Sequence, residues 1–132
     1  MTPFGEKVRR MRRERGISQK QMAAALGVTP SYLSALEHGR RGRPSWPMVQ
    51  KIIGFFNVIW DEAEELQDLA SVSDPRVTID TAGLSPQATL LANRLSRSIS
   101  LLDRGDIDAL TNCLEDRLER VRKAPSTRPA SR

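Results

Sequence analysis

The punctuation between Gly16 and Gly39 constrains this chain more than any other stretch. It reads GISQKQMAAALGVTPSYLSALEHG, with glycines at 16, 27 and 39 and a helix-starting signal after each of the first two. Ser18 suits a helix N-cap, and Gln21 three residues later completes the pattern of a capping box. Thr29 is a second N-cap, with Pro30 in the first helical turn, where a missing N–H costs nothing. Met22, Ala23 and Leu26, then Leu33 and Leu36, recur at the spacing of one helical face. Helices this short are not stable alone in water, so both must borrow a core from their neighbours. The stretch therefore predicts two short packed helices, joined by Gly27-Val28-Thr29, in an all-α fold.

The flanks supply that core. A first helix runs from Thr2 or Pro3 to about Arg15, with Phe4, Val8 and Met11 on one side and Gly16 as its stop. The third helix runs from Pro30 to about His38. Ser45 caps a fourth over Trp46 to Phe56, burying Val49, Ile52, Ile53 and Phe56. Asp61 begins a fifth, with Ala63, Leu66 and Leu69 inward and Glu62, Glu64, Glu65 and Asp68 outward. Trp46 and Trp60 read as core staples at helix starts. These five helices make a domain over residues 1–72, followed by a linker over 73–85 containing Asp74-Pro75, Gly83 and Ser85-Pro86. Val77-Thr78-Ile79 within it alternates as a short strand would. Residues 86–123 then form a helical hairpin. Its first helix carries Ala88, Leu91, Leu95, Ile99 and Leu102; Gly105 interrupts, Asp106 caps, and Ile107, Leu110, Leu114, Leu118 and Val121 line the second. Residues 124–132, rich in Pro, Ser and Arg, are expected to be disordered.

Charge is unevenly placed. Met1 to Pro44 holds ten Lys/Arg against three Asp/Glu, a balance of +7; Ser45 to Leu84 holds two against seven, or −5; the remainder is +3. The cationic excess thus accompanies the two short helices, as a polyanionic partner demands. Double-stranded DNA, a dense line of phosphate charge, is the natural candidate. The single cysteine, Cys113, rules out an intramolecular disulfide and a zinc site with several thiolates; it reads as an inert small hydrophobe. The basic Lys7–Arg15 run has no apolar segment after it, so no secretory signal is expected, nor any membrane span. A cytoplasmic, nucleoid-associated protein is the expectation. Neither paired catalytic carboxylates, nor a nucleophile with its base, nor a phosphate loop is present in the sequence, so an enzyme, a cofactor and a metal are not expected.

Ser18-Gln19, Met22-Ala23, Leu26-Gly27-Val28, Leu33-Ser34-Ala35-Leu36-Glu37 and Gly39 together resemble the phage repressor and Cro family, the XRE-type helix-turn-helix regulators of prokaryotes. The resemblance covers residues 4 to 70. It implies a five-helix domain whose third helix enters the major groove. It implies a phosphate contact by Gln19, base and phosphate contacts by Thr29, Pro30, Ser31, Tyr32 and Ser34, and an ion pair between Arg12 and Glu37.

Elementary chemistry supports several of these positions. Unpaired N–H groups at the starts of the second and third helices, beside Lys20, suit phosphate. Arg40, Arg41 and Arg43 follow the third helix and His38 ends it, where they can grip the backbone. Between Thr29 and Glu37 there is no Arg, Gln or Asn for a bidentate base contact, so DNA shape or arginines outside the helix must share the reading. Arg9 and Arg13 read as a solvated helix face. The hairpin either packs on its own domain or meets a second copy, and dimerisation is favoured because a two-fold dimer doubles a short site. The expected function is a dimeric repressor on a palindromic operator. Two alternatives stand: an antitoxin partnered by a small toxin, and a protein-interaction adaptor whose helix-turn-helix no longer reads DNA.

Overall fold

The computed structural model describes residues 1–40 and 42–124; Arg41 and residues 125–132 of the expected 124–132 tail lie outside the described residues. The described chain is helical and separates into two units, residues 1–77 and 78–132. The first holds α1 (Pro3–Glu14), α2 (Gln19–Leu26), α3 (Pro30–Glu37), α4 (Trp46–Phe56) and α5 (Trp60–Ser71). The second holds α6 (Pro86–Ser98), a 3₁₀ turn over Ile99–Leu101, and α7 (Arg104–Lys123).

Helix starts follow side-chain chemistry. Thr2, Ser18, Thr29, Ser45 and Ser85 each sit at an N-cap in extended backbone and accept an N–H from the first turn. The Ser18–Gln21 capping box is complete in both directions, at 3.0 and 2.8 Å. Gly27 ends α2 at φ +75°, a left-handed conformation that glycine adopts without the cost a Cβ would bring.

One core fills the first unit. Phe4, Val8 and Met11 of α1 meet Met22, Ala23 and Leu26 of α2, Leu33 and Leu36 of α3, Val49, Ile52 and Phe56 of α4, Val58, and Leu66 and Ala70 of α5. Each large side chain buried there contributes about 1.5–3 kcal/mol. Lys7 on α1 pairs with Glu65 on α5 at 3.4 Å, a surface pair worth little. One close helix approach uses glycine. A Cβ on Gly5 of α1 would stand 2.5 Å from the carbonyl oxygen of Leu36 and 2.6 Å from that of Glu37, so α1 lies against the backbone at the end of α3.

Several expectations need correction. Ser73, placed in the linker, is buried: its Oγ accepts the Phe4 N–H at 2.9 Å and donates to the Leu69 carbonyl at 2.6 Å. It thereby caps an unpaired donor at the start of α1 from the far end of the unit. Val77-Thr78-Ile79 forms no strand, because no second strand among the described residues offers a ladder. Trp46 and Trp60 are not core staples; they remain 63% and 82% exposed. Trp46 precedes the first buried residue of α4, Val49, and lies beyond the edge of the core. Trp60 rather than Asp61 begins α5, at φ +53°, and the buried residues of that helix are Leu66 and Ala70. The helix from Pro86 tightens into the 3₁₀ turn before Leu102. Asp103, not Asp106, caps α7: Asp103 accepts the Asp106 N–H at 2.8 Å and Asp106 accepts the Asp103 N–H at 3.2 Å. This reciprocal box outweighs the helix-weakening effect of Gly105, which lies inside α7.

In the second unit no described residue is buried. Leu91 is 62% exposed and Leu114 57%, while Leu95, Leu102 and Leu118 are half-buried, so the apolar stripes are only partly covered.

Gly5→Ala should therefore destabilise the protein by about 2–3 kcal/mol, as overpacking against backbone does. Ser73→Ala should cost about 1–2 kcal/mol through the buried N–H left without a partner. Urea unfolding measures both, and wild-type midpoints for either variant would show that the corresponding contact is not made.

Candidate nucleic-acid interface

Two eight-residue helices and the turn between them build the site. α2 begins at Gln19, directly after its cap. The chain turns through Gly27, whose N–H is bonded to Ala24 O, and Val28, whose N–H is bonded to Ala23 O. Thr29 then caps α3 by accepting the Tyr32 N–H at 3.0 Å. Pro30 occupies the first position of α3, where its ring needs no hydrogen bond. Thr29, Pro30 and Ser31 are exposed at that helix start; Tyr32 and Ser34 are half-buried. The remaining first-turn N–H groups at both helix starts are donors with positive dipole ends.

Beneath this surface lies a buried charge network. Arg12 on α1 donates from Nε to Glu37 Oε2 at 2.7 Å and from Nη2 to Glu37 Oε1 at 3.0 Å. The pair is bidentate, and the Glu37 side chain is completely buried. Arg12 Nη1 also donates to the Ile17 carbonyl at 2.9 Å, which ties the α1–α2 turn to the same guanidinium. Gln19 completes the network: its Nε2 donates to Glu37 Oε1 at 3.0 Å. Glu37 thus gathers α1, α2 and α3 onto one carboxylate.

Exposed cations lie on α2 and in the segment after α3. Lys20 is exposed on α2. After α3, Arg40 is exposed, its N–H bonded to the Ala35 carbonyl at 2.9 Å, and Arg43 is exposed beyond it; Arg41 lies outside the described residues. His38 is half-buried, with Nδ1 2.8 Å from the Ser34 carbonyl. A carbonyl only accepts, so Nδ1 carries the proton and donates. Among the described residues no group of three or more His, Cys, Asp or Glu is arranged to hold a metal, and no helix is long and apolar enough to cross a membrane.

The sequence marks Gln19 as a phosphate contact and Arg12–Glu37 as a separate pair; the structure joins them, and no local signal marks that union, because 18 residues separate Gln19 from Glu37. The Arg12 bond to the Ile17 carbonyl is equally invisible in sequence, since a backbone acceptor leaves no trace in residue type.

Comparisons with known proteins bear on this geometry. A family model described as a helix-turn-helix domain matches residues 3–73. The chain is 31% identical over 61 residues to the uncharacterized HTH-type transcriptional regulator RghRB of Bacillus subtilis (strain 168), a match spanning 46% of this chain and 44% of that protein. It is 36% identical over 52 residues to the HTH-type transcriptional repressor RghR of the same organism, spanning 39% and 38% respectively. With that organism's HTH-type transcriptional regulator SinR it shares 30% identity over 68 residues, spanning 48% of this chain and 61% of SinR. The chain thus covers less than two thirds of each of these relatives.

Removing one partner of the buried pair should be costly. Arg12→Met leaves Glu37 charged and uncompensated and should destabilise by about 3–5 kcal/mol, whereas adding Glu37→Leu should recover much of that loss. Denaturant unfolding of the two variants checks this; a double variant no more stable than the single one would contradict it.

Proposed function

The chain belongs to the helix-turn-helix domain family, and from that premise we propose that it is a DNA-binding transcriptional regulator, acting as a dimeric repressor on a palindromic operator. One observation carries the reading: Thr29, Pro30 and Ser31 are exposed at the start of α3, and the exposed Lys20, Arg40 and Arg43 belong to the same strongly cationic part of the chain. A neutral adaptor surface has no need of that charge. The names of the relatives, each a transcriptional regulator or repressor, support the same reading.

In this proposal Gln19, Lys20, His38, Arg40, Arg41 and Arg43 hold phosphates, and Thr29, Pro30, Ser31, Tyr32 and Ser34 meet base edges and adjacent backbone. Phosphate contacts set affinity and register, while the small α3 side chains contribute modest discrimination. Dimerisation through α6 and α7 is supported by their uncovered apolar side chains, since an amphipathic helix lowers its free energy by burying that stripe against another.

Selection of bound duplexes from a random pool tests the core of the proposal: a palindrome is expected, and absence of enrichment at low salt would overturn it. Arg40→Ala and Arg43→Ala should each weaken binding to every sequence and lower the salt slope by about 1. Ser31→Ala or Tyr32→Ala should instead shift the selected sequence. Leu114→Arg should convert a sedimenting dimer to monomer; an unchanged mass would remove α7 from the dimer contact.

A further inference from the structure

We propose that Glu37 is a positioning residue for DNA binding, because it determines which end of the Gln19 amide meets a phosphate. The inference rests on the reading of Gln19 as a backbone contact. The two ends of a glutamine amide have nearly the same shape and opposite chemistry: the nitrogen donates and the oxygen accepts. Phosphate only accepts. An unrestrained surface glutamine presents either end, and half of its orientations turn an oxygen toward an anion.

Glu37 removes that ambiguity. Its carboxylate can only accept, so the amide must turn Nε2 toward it, at 3.0 Å. One N–H of Nε2 is thereby committed, and the second has no partner among the described residues. The same nitrogen that faces Glu37 is the donor left for the duplex. Glu37 cannot touch DNA itself, since its side chain is wholly buried. Its carboxylate is already held by two Arg12 donors, so the Gln19 bond is not needed to compensate the buried charge. The orienting group is also stationary. Arg12 grips Glu37 with two nitrogens and the Ile17 carbonyl with a third, and Ile17 lies two residues before Gln19. The helix start that carries the amide and the carboxylate that aims it are fixed by one guanidinium.

The test uses the full chain and a mixed-sequence DNA duplex at low salt, because a phosphate contact does not depend on base identity. Gln19→Ala should weaken binding about fivefold, the scale of one net hydrogen bond. Glu37→Gln, checked for folding by thermal melting, should weaken it by a similar factor, and the two changes together should cost no more than the larger one alone. In a Gln19→Lys background, where a flexible ammonium needs no aiming, Glu37→Gln should have almost no effect. Equal losses from Glu37→Gln in the wild-type, Gln19→Ala and Gln19→Lys backgrounds would overturn the positioning role while leaving the contact intact. Unchanged affinity of Gln19→Ala would overturn the contact and the inference together. Should Glu37→Gln not fold, the side-chain amide protons of Gln19 in the wild-type protein decide by nuclear magnetic resonance. One amide proton slowed in exchange and displaced from the shift of a free glutamine supports the proposal, and a pair with the shifts and fast exchange of free glutamine overturns it.

Discussion

The Arg12–Glu37 pair is the constraint on which the first unit depends. Two opposite charges removed from water cost several kcal/mol each, and the attraction between them returns that only when geometry is close to ideal. Here the guanidinium is bidentate on the carboxylate, its third nitrogen has the Ile17 carbonyl, and the carboxylate takes a further N–H from Gln19. Such an arrangement adds little stability over a well-packed apolar pair. What it does is narrow the allowed geometry: α1, the turn after it, the start of α2 and the end of α3 must all arrive together, or a buried charge is left exposed to an apolar core.

The packing around the pair follows from that requirement. α3 has only eight residues and two large apolar anchors, Leu33 and Leu36, too few to fix its direction alone. Gly5 lets α1 lie against the carbonyls of Leu36 and Glu37, so the end of α3 is held by backbone contact on one side and by the ion pair on the other. The start of α1 is in turn held by Ser73, whose hydroxyl closes the unit from its last buried residue. Orientation of the short helix therefore comes from a ring of local constraints rather than from the depth of its own burial.

These features divide by how far their causes reach along the chain. Caps act over three residues, so Ser18–Gln21, Thr29–Pro30 and the stop at Gly27 could be read directly, and with them the all-helical fold and the two helices of the interface. Competing local signals were harder: Gly105 looked like a break, yet the Asp103–Asp106 box carries the helix through it. Trp46 and Trp60 read as core staples at helix starts, yet both stay exposed: the first precedes the buried residues of α4 and the second begins α5 at a left-handed φ. Contacts that join distant positions, such as Ser73 to Phe4 and Gln19 to Glu37, leave no periodic mark at all. They depend on how the helices cross.

That dependence bears on how a plain reading helix could discriminate. Between Thr29 and Glu37 no side chain offers the bidentate base contact that separates one base pair from another most strongly. On the proposed reading, selectivity must then lean on the shape and deformability of the duplex. Contacts of fixed spacing register backbone geometry directly, whereas long cations adapt to many geometries and respond chiefly to groove potential. Lys20, Arg40 and Arg43 are long, exposed and adaptable. Gln19 differs: its helix start and its amide are both held by the buried pair. A rigid donor among flexible ones sets a reference point against which groove width registers as a gain or loss of contact. The buried charge network would thus serve sequence preference at a distance, without any of its charged atoms reaching a base.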